Sequence, residues 1–173
     1  MIKKIERTVH FYQLEFKFHK DFNPEDGDRY AEMFAMLIQL AKSRAKIRYQ
    51  QFGERAIFIH GVKVDSDNSL ILGKLRCVRK DLLPEIMNTN TDVARGIDAK
   101  EEEGLLETTH FIIDYSKISR PVLSLEHNQF GAKIGDFVLY LKNIGQSKKA
   151  LDEVGYAPVV RDELSKLKDR INR

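Results

Sequence analysis

The sequence predicts an α+β fold: a largely antiparallel sheet of about five strands, two to three packed helices and a C-terminal helical tail. Several short segments alternate apolar and polar residues, as half-buried strands do. Longer segments repeat apolar residues at three- and four-residue steps, as amphipathic helices do. The strand-like segments also follow one another too closely for crossover helices, which disfavours a doubly wound parallel sheet. Residues 1–145 read as one domain, and 146–173 as a helical tail that dimerises or leads into a further portion.

The segment TVHFYQLEFKF (8–18) places Tyr12, Leu14, Phe16 and Phe18 on one side, the pattern of a strand covered on one face. Pro24 and Gly27 then break it, and Asp26 and Asp28 stand ready as helix caps. From Arg29 to about Lys46, Tyr30, Met33, Phe34, Leu37, Ile38 and Ala41 form one apolar stripe. Lys42, Arg44, Lys46 and Arg48 follow at the helix end, where cations suit the negative end of its dipole or can hold phosphates. RAIFIHGVKV (55–64) and SLILGKLRCVR (69–79) form a hairpin through Asp65, Asp67 and Asn68, a turn without the glycine and distal glutamate of a calcium loop.

Residues 80–103 are polar and irregular, with one helical turn expected near Leu82 to Met87. THFIIDY (109–115) and PVLSLEHN (121–128) make a second hairpin. A helix from about Ala132 to Ile144 aligns Ile134, Phe137, Val138, Leu141 and Ile144. In the last stretch Val160, Leu164, Leu167 and Ile171 mark a short coiled-coil-like seam.

A length of 173 residues suffices to bury a core without disulfides or metals. The single cysteine, Cys77, excludes an intrachain disulfide and any multi-cysteine metal site. No apolar run reaches bilayer length, so the expectation is a cytoplasmic protein without membrane insertion, cofactor or bound metal. The net charge of +3, from 29 basic and 26 acidic residues, is too small to argue for nucleic acid unless the cations cluster.

The segment SLEHNQFGAKIGDF (124–137) concentrates the candidate chemistry. On a strand Glu126 and Asn128 share a face while His127 points away, and on the preceding strand His110 and Asp114 share a face. One register across that hairpin would join Glu126 with His110 and Asp114. Alternatively, Asn128, Gly131 and Lys133 stand at a helix start, where free amides attract phosphate. A third option is structural: Asn128 caps a turn, with Phe130 and Phe137 beneath it.

Thr109, His110, Phe111, Glu126, Asn128, Gly131, Asp136, Phe137, Tyr140 and Leu141 carry a resemblance. Together with the hairpin before them, they resemble the RexA-like phage-exclusion proteins and a broad group of bacterial proteins with a THF strand before an E-x-N-x-x-G-P-R motif. The likeness covers roughly residues 46–145, with Gly-Ala-Lys here in place of Gly-Pro-Arg. It implies a role in bacterial or prophage antiviral defence, with binding to DNA independent of base sequence.

Three functional readings follow. In the first, a nonenzymatic module holds DNA phosphates through Lys133, Gly131 and Asn128, and through Lys42, Arg44, Lys46, Arg48, Lys74, Arg76 and Arg79, as a homodimer joined by its tail. In the second, a metal-dependent nuclease uses Glu126, Asp114 and His110. In the third, an adaptor, sensor or inhibitor docks a protein partner encoded nearby.

Overall fold

Antiparallel strand pairing organises the chain in the computed structural model, which describes residues 7–23, 28–43, 46–80, 83–101 and 103–159. In chain order the elements are β1 (Val9–Phe18), α1 (Arg29–Lys42), a 3-10 turn (Lys46–Arg48), β2 (Gln50–Phe52), β3 (Arg55–Asp65) and β4 (Leu70–Arg79). There follow β5 (Glu85–Asn88), β6 (Val93–Gly96), β7 (Leu105–Asp114), β8 (Val122–Glu126), α2 (Ile134–Ser147) and β9 (Leu151–Pro158). Seven strands form one curled, half-barrel sheet in the order β2-β3-β4-β7-β8-β1-β9, with every neighbouring pair antiparallel. β5 and β6 pair with each other as a separate two-stranded ribbon.

One face of the sheet carries Leu14, Ile57, Ile59, Ile71, Leu75, Phe111, Ile113, Leu123 and Leu125, all buried. Both helices lie on that face. From α1 come Tyr30, Met33, Phe34, Leu37 and Leu40, and from α2 Phe137, Tyr140, Leu141 and Ile144, all in the same core. Asp28 caps α1 by accepting from the Ala31 amide at 3.0 Å. Gly145 lets the start of β9 cross α2 closely, because a Cβ there would lie 2.6 Å from Leu151 Cβ.

This architecture corrects the α+β expectation to a mostly β fold. The described residues hold nine strands and two α-helices rather than about five strands and two to three helices. Leu151 to Pro158, expected in a helical tail, extend as β9 along the open edge of β1, with Leu14 opposite Tyr156 and Phe16 opposite Val154. That segment has little strand character of its own, so pairing with β1 and burial of Leu151 and Val154 decide its state. The seam from Val160 to Ile171 lies outside the described residues. The helical turn expected near Leu82 to Met87 is also corrected, because Glu85 to Asn88 form strand β5. β2, at three residues, is too short for alternation to reveal.

Candidate functional site

The second face of the sheet faces away from both helices, and the ladder registers assign its side chains. Ile57 and Ile59 point into the core, so Phe58 and His60 point outward, and across the β3–β4 ladder they stand opposite Arg76 and Lys74. On β7, Thr108 and His110 are the next residues in the same two rows. Beyond them Phe111 pairs with Leu125, which turns Glu126 outward beside His110. A row His60, Lys74, His110, Glu126 thus crosses four adjacent strands.

At the β2 edge, the 3-10 turn folds Arg48 and Tyr49 over the same face. Tyr49 packs on Phe58 with ring centroids 4.6 Å apart, and the Arg48 guanidinium lies 4.7 Å from the Tyr49 ring and 5.3 Å from the Phe58 ring. Arg48 also donates to the Ala41 carbonyl at 2.8 Å, closing the end of α1. The Tyr140 phenol, its pKa pushed up to about 12 by burial, donates to the Arg48 carbonyl at 3.0 Å and holds the turn in place. Tyr49 remains 40 % exposed. Neither Lys74 nor Arg76 has a hydrogen-bond or ion-pair partner among the described residues. This local excess of positive charge registers on His60, whose pKa lies below the ordinary histidine value through burial and then through Arg76, Arg48 and Lys74.

Among the described residues Glu126 is the one buried acidic group, at 7 % exposure. Its carboxylate accepts from the His110 amide at 2.9 Å, lies 2.6 Å from His110 Nδ1 and is ion-paired with Arg7. Burial pushes its carboxyl up, but the two His110 donors and the Arg7 charge more than reverse this, so its pKa lies below the ordinary glutamate value. An ionised carboxylate only accepts, so Nδ1 of His110 carries the proton and Nε2 is the nitrogen left for a ligand. The His110 side chain is 54 % exposed.

The other sequence candidates lie elsewhere. Asp114 sits four residues along β7 from His110, about 13 Å at strand rise, where it accepts from the Ser116 amide at 2.9 Å. Glu126 and His110 are brought together, and Asp114 is not. Among the described residues no group of three or more His, Cys, Asp or Glu is arranged to hold a metal ion.

The corner at 128–136 is occupied by its own side chains. Asn128 donates to the Thr108 carbonyl at 3.0 Å and to Glu107 at 3.2 Å, and its oxygen accepts from the Phe130 amide at 3.2 Å. Gly131 is buried against Thr109. The Lys133 ammonium donates to the carbonyls of Asn128 and Gln129. Asp136 accepts from the Lys133 amide at 2.8 Å and from Arg55 at 3.1 Å, so a carboxylate already stands at the start of α2. Arg79 stacks over Phe130 at 4.9 Å beside this corner. Lys42 and Lys46 are exposed at the end of α1, and Arg44 lies outside the described residues.

No family model, curated protein or solved structure matches the chain. The site is therefore read from its own chemistry. Sequence reasoning did not single out His60, Lys63, Phe58 or Arg7. The available signal was the alternation of Phe58, His60 and Lys63 with the buried Ile57 and Ile59 and the partly buried Val62 and Val64. It becomes informative only once β3 is registered against β4, since Phe58 is itself covered by Tyr49 and Arg48. The β-bulge after His60, with Gly61 at φ +63°, shifts that alternation by one residue. Among the described residues no helix is long and apolar enough to cross a membrane.

Proposed function

We propose that the chain is a sequence-independent nucleic-acid-binding module of a bacterial or prophage antiviral defence system, DNA being the ligand that the likeness to RexA-like proteins implies. The observation that carries the reading is the pair Lys74 and Arg76, exposed and half-buried on one sheet face and without a hydrogen-bond or ion-pair partner among the described residues, flanked by Arg48, His60 and Lys63. Cations two residues apart on a strand lie roughly 7 Å from each other, close to the phosphate spacing of a nucleic-acid strand. Contacts of this kind hold the backbone and carry no base information. The exposed ring of Tyr49 supplies a surface on which an unpaired base can stack. In this reading the sheet face takes the phosphates, and Lys133 serves the corner of α2.

The test is a titration of unrelated DNA duplexes and of single-stranded RNA across a salt series. Affinity should fall steeply with salt and differ little between sequences. Lys74→Gln with Arg76→Gln should flatten the slope on duplex DNA by about 1.8, two phosphate contacts' worth, while Lys133→Ala should leave it unchanged. Unchanged binding in the double variant, or loss in Lys133→Ala, would remove the sheet face from the proposal. Dimerisation through residues 160–173 belongs to the same proposal and is read by light scattering with and without them.

The β5–β6 ribbon favours a second reading, a protein-interaction module. Ile86, Met87 and Val93 stay exposed on it, and an isolated two-stranded ribbon has little stability of its own. Failure to bind any nucleic acid at low salt would transfer weight to this ribbon.

A further inference from the structure

We propose that the row His60, Lys74, His110 is a metal-independent site for cleaving single-stranded RNA, with Glu126 as a positioning residue. The inference rests on the nucleic-acid reading above and narrows its ligand to a strand bearing 2′-hydroxyl groups.

Cutting RNA at a phosphodiester without a metal requires a base for the 2′-hydroxyl, an acid for the leaving 5′-oxygen and a cation at the phosphoryl oxygens. The sheet supplies these groups in one row, with the cation between the base and the acid. His60 and His110 occupy the two strands either side of Lys74, in direct register with it. Their backbones are thus on the order of 10 Å apart, a gap that a phosphodiester can bridge with a hydrogen bond of about 2.8 Å to each ring. A bulge follows directly after His60, so the ladder register shifts beyond this row and not within it.

The surroundings divide the two imidazoles into different roles. His60 is half-buried and is faced by Arg76 and Lys74 from β4 and by Arg48 from the 3-10 turn, and burial first and then these charges favour the neutral ring and hence a proton acceptor. His110 is faced by Lys74 from β4 and by Glu126 and Arg7 on the other side. The Glu126 carboxylate fixes Nδ1–H and turns Nε2 outward, so that the doubly protonated ring, whose charge the carboxylate offsets, presents Nε2–H as the proton donor. In the step itself, the 2′-oxygen bonds to phosphorus as its proton passes to His60. The bond from phosphorus to the 5′-oxygen breaks, and that oxygen takes the Nε2 proton of the doubly protonated His110 ring, which is left neutral with its proton on Nδ1. The products are a 2′,3′-cyclic phosphate and a 5′-hydroxyl end. Lys74 offsets the charge on the non-bridging oxygens, and solvent exchange resets both rings.

The experiment uses the full chain, end-labelled single-stranded RNA of mixed sequence, excess EDTA, and matched DNA and 2′-O-methyl RNA as uncleavable controls. Wild-type protein should bind all three strands and cut only the RNA, leaving cyclic phosphate ends. His60→Ala and His110→Ala, purified in parallel, should lose at least about a hundredfold in rate while their binding stays within a few fold. His110→Gln, whose amide can still donate to Glu126, guards against a folding defect and should be as inactive as His110→Ala. Glu126→Gln should move the pH profile of the remaining activity, which a merely structural role would not. RNA that is bound but uncut, or cut equally by the histidine variants, overturns this inference alone. Cutting that EDTA abolishes overturns it too, and RNA neither bound nor cut overturns the binding reading with it.

Discussion

Replacing Glu126 by glutamine tests the buried carboxylate on the outer face through stability rather than activity. The carboxylate accepts from the His110 amide at 2.9 Å, lies 2.6 Å from its ring nitrogen and is ion-paired with Arg7. Hydrogen bonds to a charged group contribute about 1.5–3 kcal/mol each. The Arg7 pair adds only about 0–1 kcal/mol, because the arginine is half exposed. A carboxamide keeps one acceptor for the His110 amide but turns an N–H2 group toward the ring or the guanidinium. The expected cost is therefore one charge-assisted bond, about 2–3 kcal/mol at pH 7, or a melting point lower by roughly 4–12 °C for a chain of this size. The pH dependence has a definite sign. Because the folded-state pKa of Glu126 lies below the ordinary 4.5, its stabilisation is complete above that value and is lost as pH falls through the folded pKa. Urea unfolding of both proteins between pH 7 and pH 3.5 should show a gap that narrows as pH falls below about 5. A gap under about 0.5 kcal/mol at pH 7, or one that does not change with pH, would refute the arrangement of donors around this carboxylate.

Two glycine substitutions probe the packing that positions the site. In Gly131→Ala the new Cβ would lie 2.5 Å from Thr109 Oγ1 and 2.8 Å from Asn128 Cγ, in a corner where Thr109 is fully buried. A loss of about 1–3 kcal/mol is expected by urea unfolding, with nucleic-acid affinity unchanged. Lost affinity at unchanged stability would instead make this glycine a phosphate contact. Gly145→Ala would press on Leu151 and loosen β9 from α2, so amide exchange across Leu151–Pro158 should accelerate ahead of the rest of the sheet. Uniform acceleration across all strands would show instead that β9 opens together with the sheet.

The sequence by itself determined the strands that carry their own signal. Alternation placed Tyr12, Leu14, Phe16 and Phe18 on one side of β1, and the core there agrees. The Asp65–Asn68 turn joined β3 to β4, and the three- and four-residue steps marked the buried faces of α1 and α2. Those signals are local, since each depends on residues within one or two turns of chain. The structure alone decided that Leu151–Pro158 is a strand, because its partner β1 lies some 140 residues earlier in the chain and no local preference records that edge. It also decided which charges meet. Lys74 and Arg76 were legible as cations, and Glu126 and His110 as a possible pair, but joining His60, Lys74, His110 and Glu126 into one row requires the registers of β3, β4, β7 and β8 together. A shift of one residue in any of those ladders would send the row to the opposite face. The same rule separates Asp114 from the pair it was expected to join: residues that share a face of one strand can still stand more than 10 Å apart.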